Sequence, residues 1–360
     1  MDVLVIGYGK IGQIKAAIWR TLGRRVYVYD TDANKVKHAK TDGYSIHADN
    51  RQYSNDLLAD VSTPAHYHLH SLRWLLDHVT SMPNRVLIEK PLASTGEEIS
   101  AWLELLGTEQ GKDLDRRIIV NESYYLSTAL EYVANDIARH GHRLQSISTE
   151  LSKNRLPDVS RGRFVDETLG SLGIELPHMI AMMQRLGVQL HDLAVDGVHI
   201  YRGDKPHNEG FQLDLSSNNM SVTISSYLGD FRIAQAGAVL PNTTITRSLE
   251  VVTDGRHYTV DFDPVKGLDR YKARVRVKTD KFSATKTIIL DDDHLANHLR
   301  KIHEAISDDQ LDPLFGARNA LAISKFILEL KGTARYFSVD PVPARTYTTQ
   351  RVSTALGEYL

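Results

Sequence analysis

A glycine-rich hexapeptide near the start of the chain has the residue types and the spacing to bind a phosphate. Residues 7–12 read Gly-Tyr-Gly-Lys-Ile-Gly, the G-x-G-x-x-G pattern of dinucleotide-binding turns. In this pattern the first glycine allows a tight turn, the second lets a pyrophosphate approach the backbone, and the third lets the next helix pack closely. Free N–H groups at the start of that helix hold the phosphates. The pattern predicts a cofactor site at Gly7, Gly9, Lys10, Ile11 and Gly12.

Asp30 is the residue that would choose between NAD and NADP. It follows a second β-rich run at residues 25–29. A carboxylate in this place accepts hydrogen bonds from the ribose hydroxyls of NAD and repels the 2′-phosphate of NADP. Two alternatives stay open, because Asp30 could instead cap a helix, and Arg24, Arg25 and Lys35 could help to hold a phosphate. We predict NAD as the cofactor, with NADP as the alternative.

The first 121 residues alternate strand and helix signals. Strands are predicted at residues 3–6, 25–29, 44–47, 58–61, 85–88 and 117–120. Helices are predicted at residues 11–22, from about residue 33 to residue 43, 66–78 and 97–106. The apolar stripe of the first helix would consist of Ile11, Ile14, Ala17, Ile18 and Leu22. Such alternation builds a parallel sheet with helices on both faces, so we predict a Rossmann domain over residues 1–121.

The pattern changes after residue 121. Helices are predicted at residues 127–140, 174–186, 295–306 and 317–331. Strands are predicted at residues 144–151, 194–201, 211–215, 221–227, 248–252, 257–262, 271–277 and 286–290, with turn signals at 218–219, 254–255 and 266–267. This pattern is typical of a large, mostly antiparallel open sheet. We predict an α/β protein in which an α+β domain spans residues 122–340 and a tail spans residues 341–360.

Two further segments carry a resemblance to a known family. Residues 61–68 read Val-Ser-Thr-Pro-Ala-His-Tyr-His, and residues 86–92 read Val-Leu-Ile-Glu-Lys-Pro-Leu. With the glycine turn and the domain order, they resemble the glucose–fructose oxidoreductase / inositol dehydrogenase family, called Gfo/Idh/MocA. The resemblance implies an oxidoreductase that converts a secondary hydroxyl of a sugar, amino sugar, sugar phosphate or cyclitol to a ketone, or the reverse. It also implies cofactor contacts at Thr63, Pro64, His68, Glu89 and Lys90.

The resemblance makes Lys90 the first candidate for catalysis. It places this lysine beside the nicotinamide and the substrate, before a peptide bond to Pro91 that is often cis. An ammonium there would orient the reacting oxygen and stabilise the alkoxide that develops as hydride leaves, and a lysine with a lowered pKa can carry the proton. The alternative is a surface lysine next to Glu89.

The family's second signature is Asp-x-x-x-His on a helix of the second domain. The matching residues 169–178 read Leu-Gly-Ser-Leu-Gly-Ile-Glu-Leu-Pro-His, so that His178 fits and Ile174 stands where the acid is expected. We expect Glu175 to act with His178 as the catalytic pair, because residues three apart share a helix face. A neutral imidazole suits a base that removes a hydroxyl proton. Pro177 is best tolerated in the first turn of a helix. The alternative for His178 is a buried structural histidine, and the alternative for Glu175 is an acid that the helix dipole favours near the start of a helix.

Asn121, Glu122 and Tyr124 follow the last predicted strand of the first domain. Ligands of open α/β sheets bind outside the carboxyl ends of the strands, so we predict that Asn121 and Tyr124 contact the substrate. Ordinary contacts between the domains are an alternative for this segment.

A basic segment precedes His178 and contains Lys153, Arg155, Arg161 and Arg163. We predict Arg155 as a substrate-binding residue, since arginine can bind a phosphate or a carboxylate in a bidentate manner. A solvated loop is the alternative.

The composition narrows the function classes. A net charge of −2 provides no general attraction to nucleic acid or to anionic membranes. The absence of cysteine excludes disulfides and thiolate chemistry. We expect no metal, because the alternating His66, His68 and His70 would bring only two rings together on a helix. No apolar run reaches the ~20 residues of a membrane span, and the N-terminus lacks the basic start of a signal peptide, so we expect a cytoplasmic protein.

The resemblance also implies a small polyol as substrate and a homodimer or homotetramer formed through the open, partly apolar face of the second sheet. Two other functions stay open. One is an enzyme of the same family that uses NAD transiently, as in epimerisation or NAD-assisted glycoside cleavage, and the other is a non-catalytic NAD-binding regulator. The presence of both Lys90 and His178 argues against the regulator.

Overall fold

The structure is a computed structural model that describes most of the chain. The described residues are 1–48, 51–79, 82–162, 166, 168–217, 220–234, 237–262, 266–269, 271–279, 282–304 and 312–340. The predictions for Arg163, for the turn at 218–219, for the end of the helix at 305–306 and for the tail 341–360 lie outside these residues.

A six-stranded parallel sheet forms the N-terminal part, as predicted. Its strands are β1 (Asp2–Ile6), β2 (Arg25–Tyr29), β3 (Ser45–Ile46), β4 (Leu57–Val61), β5 (Arg85–Glu89) and β6 (Ile118–Asn121). The helices are α1 (Lys10–Thr21), α2 (Ala33–Thr41), α3 (His68–His78), α4 (Gly96–Gly107) and α5 (Glu109–Arg117). The strand order is β3-β2-β1-β4-β5-β6. Strands β2 and β3 are added on one side of β1 and the last three strands on its other side, while all strands stay parallel. A ligand crevice lies outside the carboxyl ends of the strands where the order changes in this way, here between β1 and β4.

A nine-stranded sheet forms the second half. Its strands are β7 (Leu144–Ser152), β8 (Ala194–Arg202), β9 (Glu209–Ser217), β10 (Met220–Tyr227), β13 (Thr246–Thr253), β14 (Arg256–Asp261), β15 (Lys272–Thr279), β16 (Phe282–Asp291) and β17 (Arg335–Ser338), and a separate hairpin contains β11 (Phe231–Ile233) and β12 (Val239–Pro241). The order is β16-β15-β14-β13-β7-β10-β9-β8-β17, antiparallel except for the pairs β7–β10 and β8–β17. The structure thus confirms the predicted α/β class and the large, mostly antiparallel sheet.

Five further helices follow β6 in the described part of the chain: α6 (Thr128–His140), α7 (Leu156–Val159), α8 (Gly170–Arg185), α9 (His294–Glu304) and α10 (Ala317–Thr333). Helices α6 and α8 bury one face of the sheet. On the other face, β15 presents Arg274, Arg276 and Lys278 in alternation with its buried apolar residues. This face is more polar there than we expected, and the pairing of copies through it stays a prediction.

The last two helices return to the N-terminal sheet, although they follow the second sheet in the chain. Leu299 and Ile302 of α9 pack in the core on one side of the first sheet, and Ala317 and Leu321 of α10 pack in the core on its other side. Both halves therefore share side chains around the strand ends. Among the described helices, none has the length and apolar character needed to cross a membrane.

Helix α1 buries a different stripe from the predicted one. Its buried residues are Gly12, Lys15, Ala16 and Trp19, whereas Ile14 is 40% exposed. The reason is the glycine turn, because a Cβ atom at Gly12 would lie 2.0 Å from the carbonyl oxygen of residue 7. This close approach fixes the rotation of the helix and turns Lys15 toward the sheet.

Candidate active site

The three glycines of the hexapeptide occupy different environments. Gly7 has φ +95°, a left-handed conformation that favours glycine, and its N–H donates to the carbonyl of Tyr29 at 2.8 Å. The Cβ contact described above requires glycine at position 12 as well. A Cβ atom at Gly9, in contrast, would meet nothing within 4 Å. The fold itself therefore demands the outer two glycines, while the middle one borders open space at the start of α1.

Asp30 lies at the carboxyl end of β2 beside this turn. Its carboxylate accepts hydrogen bonds from the N–H of Tyr8 at 2.6 Å and of Asp32 at 2.9 Å. The N-cap of α2 is Asp32, whose side chain accepts a hydrogen bond from the N–H of Asn34. The alternative in which Asp30 caps this helix is therefore wrong. Arg24 precedes β2 and Arg25 is its first residue, so both lie at the opposite end of this strand from Asp30, whereas Lys35 reaches within 3.9 Å of Asp30.

His68 is buried beneath the loop that contains Thr63 and Pro64. Its Nε2 lies 2.9 Å from the carbonyl oxygen of Thr63, and its Nδ1 lies 3.4 Å from that of Leu92. Burial lowers the pKa of His68 to about 4, so the ring is neutral. Because the side chain is 1% exposed, His68 supports the loop from below and does not present a donor to a cofactor. The described residues contain no cluster of side chains arranged to hold a metal.

A buried ion cluster lies under the ends of β4 and β5. Lys15 of α1 forms ion pairs with Asp60 and, at 2.8 Å, with Glu89, and the side chains of Lys15 and Asp60 are completely buried. The indole N–H of Trp19 donates to Asp60 at 2.7 Å, and the amide of Asn121 donates to Glu89 at 2.6 Å. We call Lys15, Asp60 and Glu89 the Lys15 cluster. The cluster links α1 to β4 and β5, and the amide of Asn121 connects it to β6. Sequence reasoning missed it.

Lys90 follows Glu89 directly and is joined to Pro91 by a cis peptide bond. Its ammonium group donates to the carbonyl oxygen of Ile174 in α8 at 2.5 Å. Burial lowers the pKa of Lys90, while nearby carboxylates, first Glu122 and then Glu175, act to raise it. The alternative of a surface lysine is therefore wrong, and the side chain bridges the two halves of the molecule.

His178 receives its carboxylate partner from the N-terminal half. Its Nδ1 lies 2.7 Å from Oε1 of Glu122, a residue immediately after β6. Burial acts to raise the pKa of Glu122, but the neighbouring His178 and Lys90 hold it below its usual value. The predicted pairing of His178 with Glu175 is corrected here, because the carboxylate of Glu175 binds Arg155 instead. The only sequence signal for Glu122 was its place after a strand that ends at the ligand crevice.

The described cations of the basic segment before His178 each contact an acidic neighbour. Arg155 pairs with Glu175, Lys153 donates to Asp158 at 2.6 Å, and Arg161 donates to Asp158 at 3.2 Å. Burial acts to raise the pKa of Glu175, but Arg155 and then His178 hold it below its usual value. These cations are therefore already occupied by protein carboxylates, which weakens the prediction that they hold an anionic group of the substrate.

Helix α8 begins at Gly170, four residues earlier than predicted, so that Pro177 lies inside it. A proline has no N–H, so Pro177 cannot donate the usual helical hydrogen bond to the carbonyl of Gly173, four residues before it. Lys90 binds the next carbonyl, that of Ile174, from outside the helix. The Gly173 carbonyl, which receives no N–H from Pro177, and the Ile174 carbonyl, which Lys90 binds, therefore lie on the same turn, one turn before His178.

Two buried acceptors at the site have no hydrogen-bond partner among the described residues: Oδ1 of Asn121 and Oε2 of Glu122. Tyr124 lies beside them and contacts His178, with ring centroids 5.1 Å apart, while it stacks on His294 at 4.3 Å. Since buried acceptors are normally satisfied, these two oxygens are suited to donors that a ligand brings.

The residues present fit a dinucleotide. The turn is open at Gly9, α1 starts beside it, and Asp30 stands at the end of β2. With the adenosine half directed toward β2, the other half would extend across the ends of β4, β5 and β6. Lys90, Asn121 and Glu122 stand at those ends. The fold and this geometry define a dinucleotide-binding protein. The half of its crevice at the ends of β4, β5 and β6 is polar and buried.

Comparison with known families agrees with this class. Residues 1–113 match the GFO_IDH_MocA family, described as an oxidoreductase family with an NAD-binding Rossmann fold. Residues 1–113 of the chain therefore resemble the NAD-binding Rossmann domain of the Gfo/Idh/MocA oxidoreductases. No curated protein shows significant sequence similarity to the chain.

Solved structures share the whole fold. KijD10, a 3-ketoreductase from Actinomadura kijaniata crystallised with NADP and TDP-benzene, superposes with a TM-score of 0.69 at 15% identity, over 94% of this chain and 99% of that one. The UDP-N-acetylglucosamine 3-dehydrogenase GnnA from Acidithiobacillus ferrooxidans superposes with a TM-score of 0.62 at 13% identity, over 93% of this chain and 97% of that one. At such identities the likeness concerns the fold alone.

Proposed function

We propose that this protein is an NAD-dependent dehydrogenase that oxidises a secondary hydroxyl of a sugar or cyclitol to a ketone, or catalyses the reverse reaction. The observation that supports this most directly is the meeting of Lys90, Glu122 and His178 at the strand ends where the nicotinamide half of a dinucleotide would lie. The similar folds of a sugar ketoreductase and a sugar dehydrogenase support the substrate class.

His178 acts as the base in this proposal. Because the Glu122 carboxylate accepts at Nδ1, that nitrogen carries the proton and Nε2 presents a lone pair to the substrate hydroxyl. Bound NAD would supply the hydride acceptor. As the hydroxyl proton moves to Nε2, the Lys90 ammonium donates to the same oxygen and stabilises its developing negative charge. In the reverse direction His178 returns the proton to the oxygen, while Lys90 donates a hydrogen bond to the ketone.

The charges around the reacting position favour an uncharged, hydroxylated group there. Lys90 and Arg155 balance Glu122 and Glu175, and the basic segment is paired internally. The two partnerless acceptors on Asn121 and Glu122 would accept hydrogen bonds from substrate hydroxyls or from the carboxamide of the cofactor. In this proposal Arg155 influences the site through its ion pair with Glu175. The ring of Tyr124 lines the site next to His178.

The experiment that tests this function is absorbance at the reduced-nicotinamide band. The protein is incubated with NAD or NADP and with panels of inositols, free sugars, amino sugars and sugar nucleotides. We expect turnover with one substrate class, a preference for NAD because of Asp30, and loss of turnover in Lys90→Ala but not in Lys112→Ala, an exposed lysine of α5. Binding of NAD without turnover on any panel would reject the dehydrogenase in favour of transient redox chemistry or a sensor.

A further inference from the structure

The two ion clusters at the strand ends differ in their charge balance. Around Lys90 two cations, Lys90 and Arg155, face two carboxylates, while the Lys15 cluster has one ammonium for two carboxylates. Among the described residues, the Lys15 cluster also accepts hydrogen bonds from neutral donors: Trp19, Ser62 and Asn121. Lys90 follows Glu89 in the chain, and Glu89 acts to raise the pKa of Lys90. Counted together, the two clusters contain three cations, Lys15, Lys90 and Arg155, and four carboxylates, so one negative charge is uncompensated.

Both carboxylates of the Lys15 cluster receive hydrogen bonds from several donors. The two oxygens of Asp60 accept from Lys15, Ser62 and Trp19. Oε1 of Glu89 accepts from Lys15 and from the amide of Asn121. Burial raises the pKa of Asp60, although Lys15 and Trp19 act to lower it. Hydrogen-bond donors of this kind stabilise a charged carboxylate, so the contacts of the fold support the negative charge of the cluster.

The position of this charge follows from the topology. Asp60 lies near the end of β4, Glu89 is the last residue of β5, and Asn121 is the last residue of β6. These three strands lie on the side of the reversal point away from β2, where the nicotinamide half of a dinucleotide is expected. Glu89 is 13% exposed in its side chain, whereas Asp60 is completely buried, so Glu89 is the carboxylate nearer the crevice.

We infer that the Lys15 cluster makes this protein bind oxidised NAD⁺ more tightly than NADH, and that Glu89 sets this preference. The oxidised nicotinamide ring is a cation and the reduced ring is neutral, so an uncompensated negative charge stabilises only the oxidised form. A ligand preference of this kind equals the difference in interaction free energy between the two forms. The inference rests on the proposed function, since it places the nicotinamide at these strand ends.

The test is the ratio of the two dissociation constants, Kd for NADH over Kd for NAD⁺, measured on the full chain by calorimetry and by NADH fluorescence. Glu89→Gln removes the excess charge and keeps the size of the side chain. We expect this variant to lower the ratio about tenfold, the order of effect of one charge acting over several ångströms inside a protein. Glu89→Asp retains the charge and should leave the ratio near that of the wild type.

The matched control is Asp113→Asn, which removes one negative charge from α5, close to the amino edge of the sheet, and should not change the ratio. Thermal unfolding verifies that each variant folds, and Asp60→Asn replaces Glu89→Gln if the latter does not. An unchanged ratio, or equal weakening of both cofactors by Glu89→Gln, would overturn the inference and leave Glu89 with a positioning role. If the wild-type protein binds neither cofactor, the proposed function itself fails.

Discussion

Lys15 and Lys90 lie at the same edge of the N-terminal sheet, and their pKa values move in opposite directions. Lys15 is buried, which by itself lowers its pKa, but direct ion pairs with Asp60 and Glu89 raise the pKa above its usual value. For Lys90 burial prevails and the pKa falls, although Glu122 and Glu175 are near. The difference lies in the contacts, because the hydrogen-bond partner of Lys90 is a neutral carbonyl.

This comparison separates a structural lysine from a reactive one. A lysine that two carboxylates bind directly is held as a cation and stabilises the packing of α1 on the strands. A lysine whose closest partner is a carbonyl can exchange that partner for a substrate oxygen, and its lowered pKa lets it give up a proton. The two variants below should therefore affect different properties of the protein.

Replacement of Lys90 gives the largest expected effect. Lys90→Met should lower kcat about 10³-fold, because the reacting oxygen loses its hydrogen-bond donor and its stabilising charge. The free energy of unfolding in urea should change by less than about 1 kcal/mol, since the variant loses a hydrogen bond to one carbonyl. Steady-state kinetics and urea titration check the two halves of the prediction. Retention of more than a tenth of the wild-type kcat would remove Lys90 from the mechanism.

Replacement of Lys15 should have its main effect on stability and not on kcat. Lys15→Met leaves Asp60 and Glu89 buried without their counter-charge, so we expect the free energy of unfolding to fall by about 3 kcal/mol or more. The matched control is Lys35→Met, because the Lys35 side chain is 46% exposed and its ammonium group lies 3.9 Å from Asp30. This variant should cost less than about 1 kcal/mol. Urea titration of both variants distinguishes them. Equal stabilities would show that the Lys15 cluster does not hold the fold.

The smallest effect distinguishes the two carboxylates near His178. Glu122→Gln should lower kcat between about tenfold and a hundredfold, because the amide cannot stabilise the imidazolium that forms at Nδ1. Glu175→Gln should lower kcat by less than about tenfold, since Glu175 pairs with Arg155. Rates measured from pH 6 to 9 separate a change in the base from a general loss of activity. A larger loss in Glu175→Gln than in Glu122→Gln would restore the pair first expected from the sequence.

Local signals predicted most of the fold. The glycine turn, the strands of the first sheet and the alternating segments of the second lie within a few residues of their predicted places, because periodicity and turn residues act over short distances. Helix α5 was missed since it is polar and buries only Gly111 and Leu114. Strand β17 was missed because its four residues are all exposed and its pairing with β8 depends on the tertiary structure.

The site could be predicted only where one segment carries it. Lys90 and His178 each lie in a recognisable local pattern, and the structure brings both to the same crevice. The Glu122–His178 contact joins residues 56 positions apart, and no local pattern encodes it. Lys15 had a usable signal, because it falls three residues after Gly12 and four before Trp19 on one helix face. A charged residue on that face indicates a buried counter-charge elsewhere in the chain.

The absence of an acid at Ile174 has a consequence for domain motion. With the carboxylate on the same helix as the histidine, the pair would survive any rotation of one half of the molecule against the other. Here Glu122 follows the last strand of the first half and His178 belongs to α8, and Lys90 spans the same boundary to reach Ile174. Opening at that boundary would separate His178 from both Glu122 and Lys90, so the groups that transfer the proton meet only while the two halves are aligned.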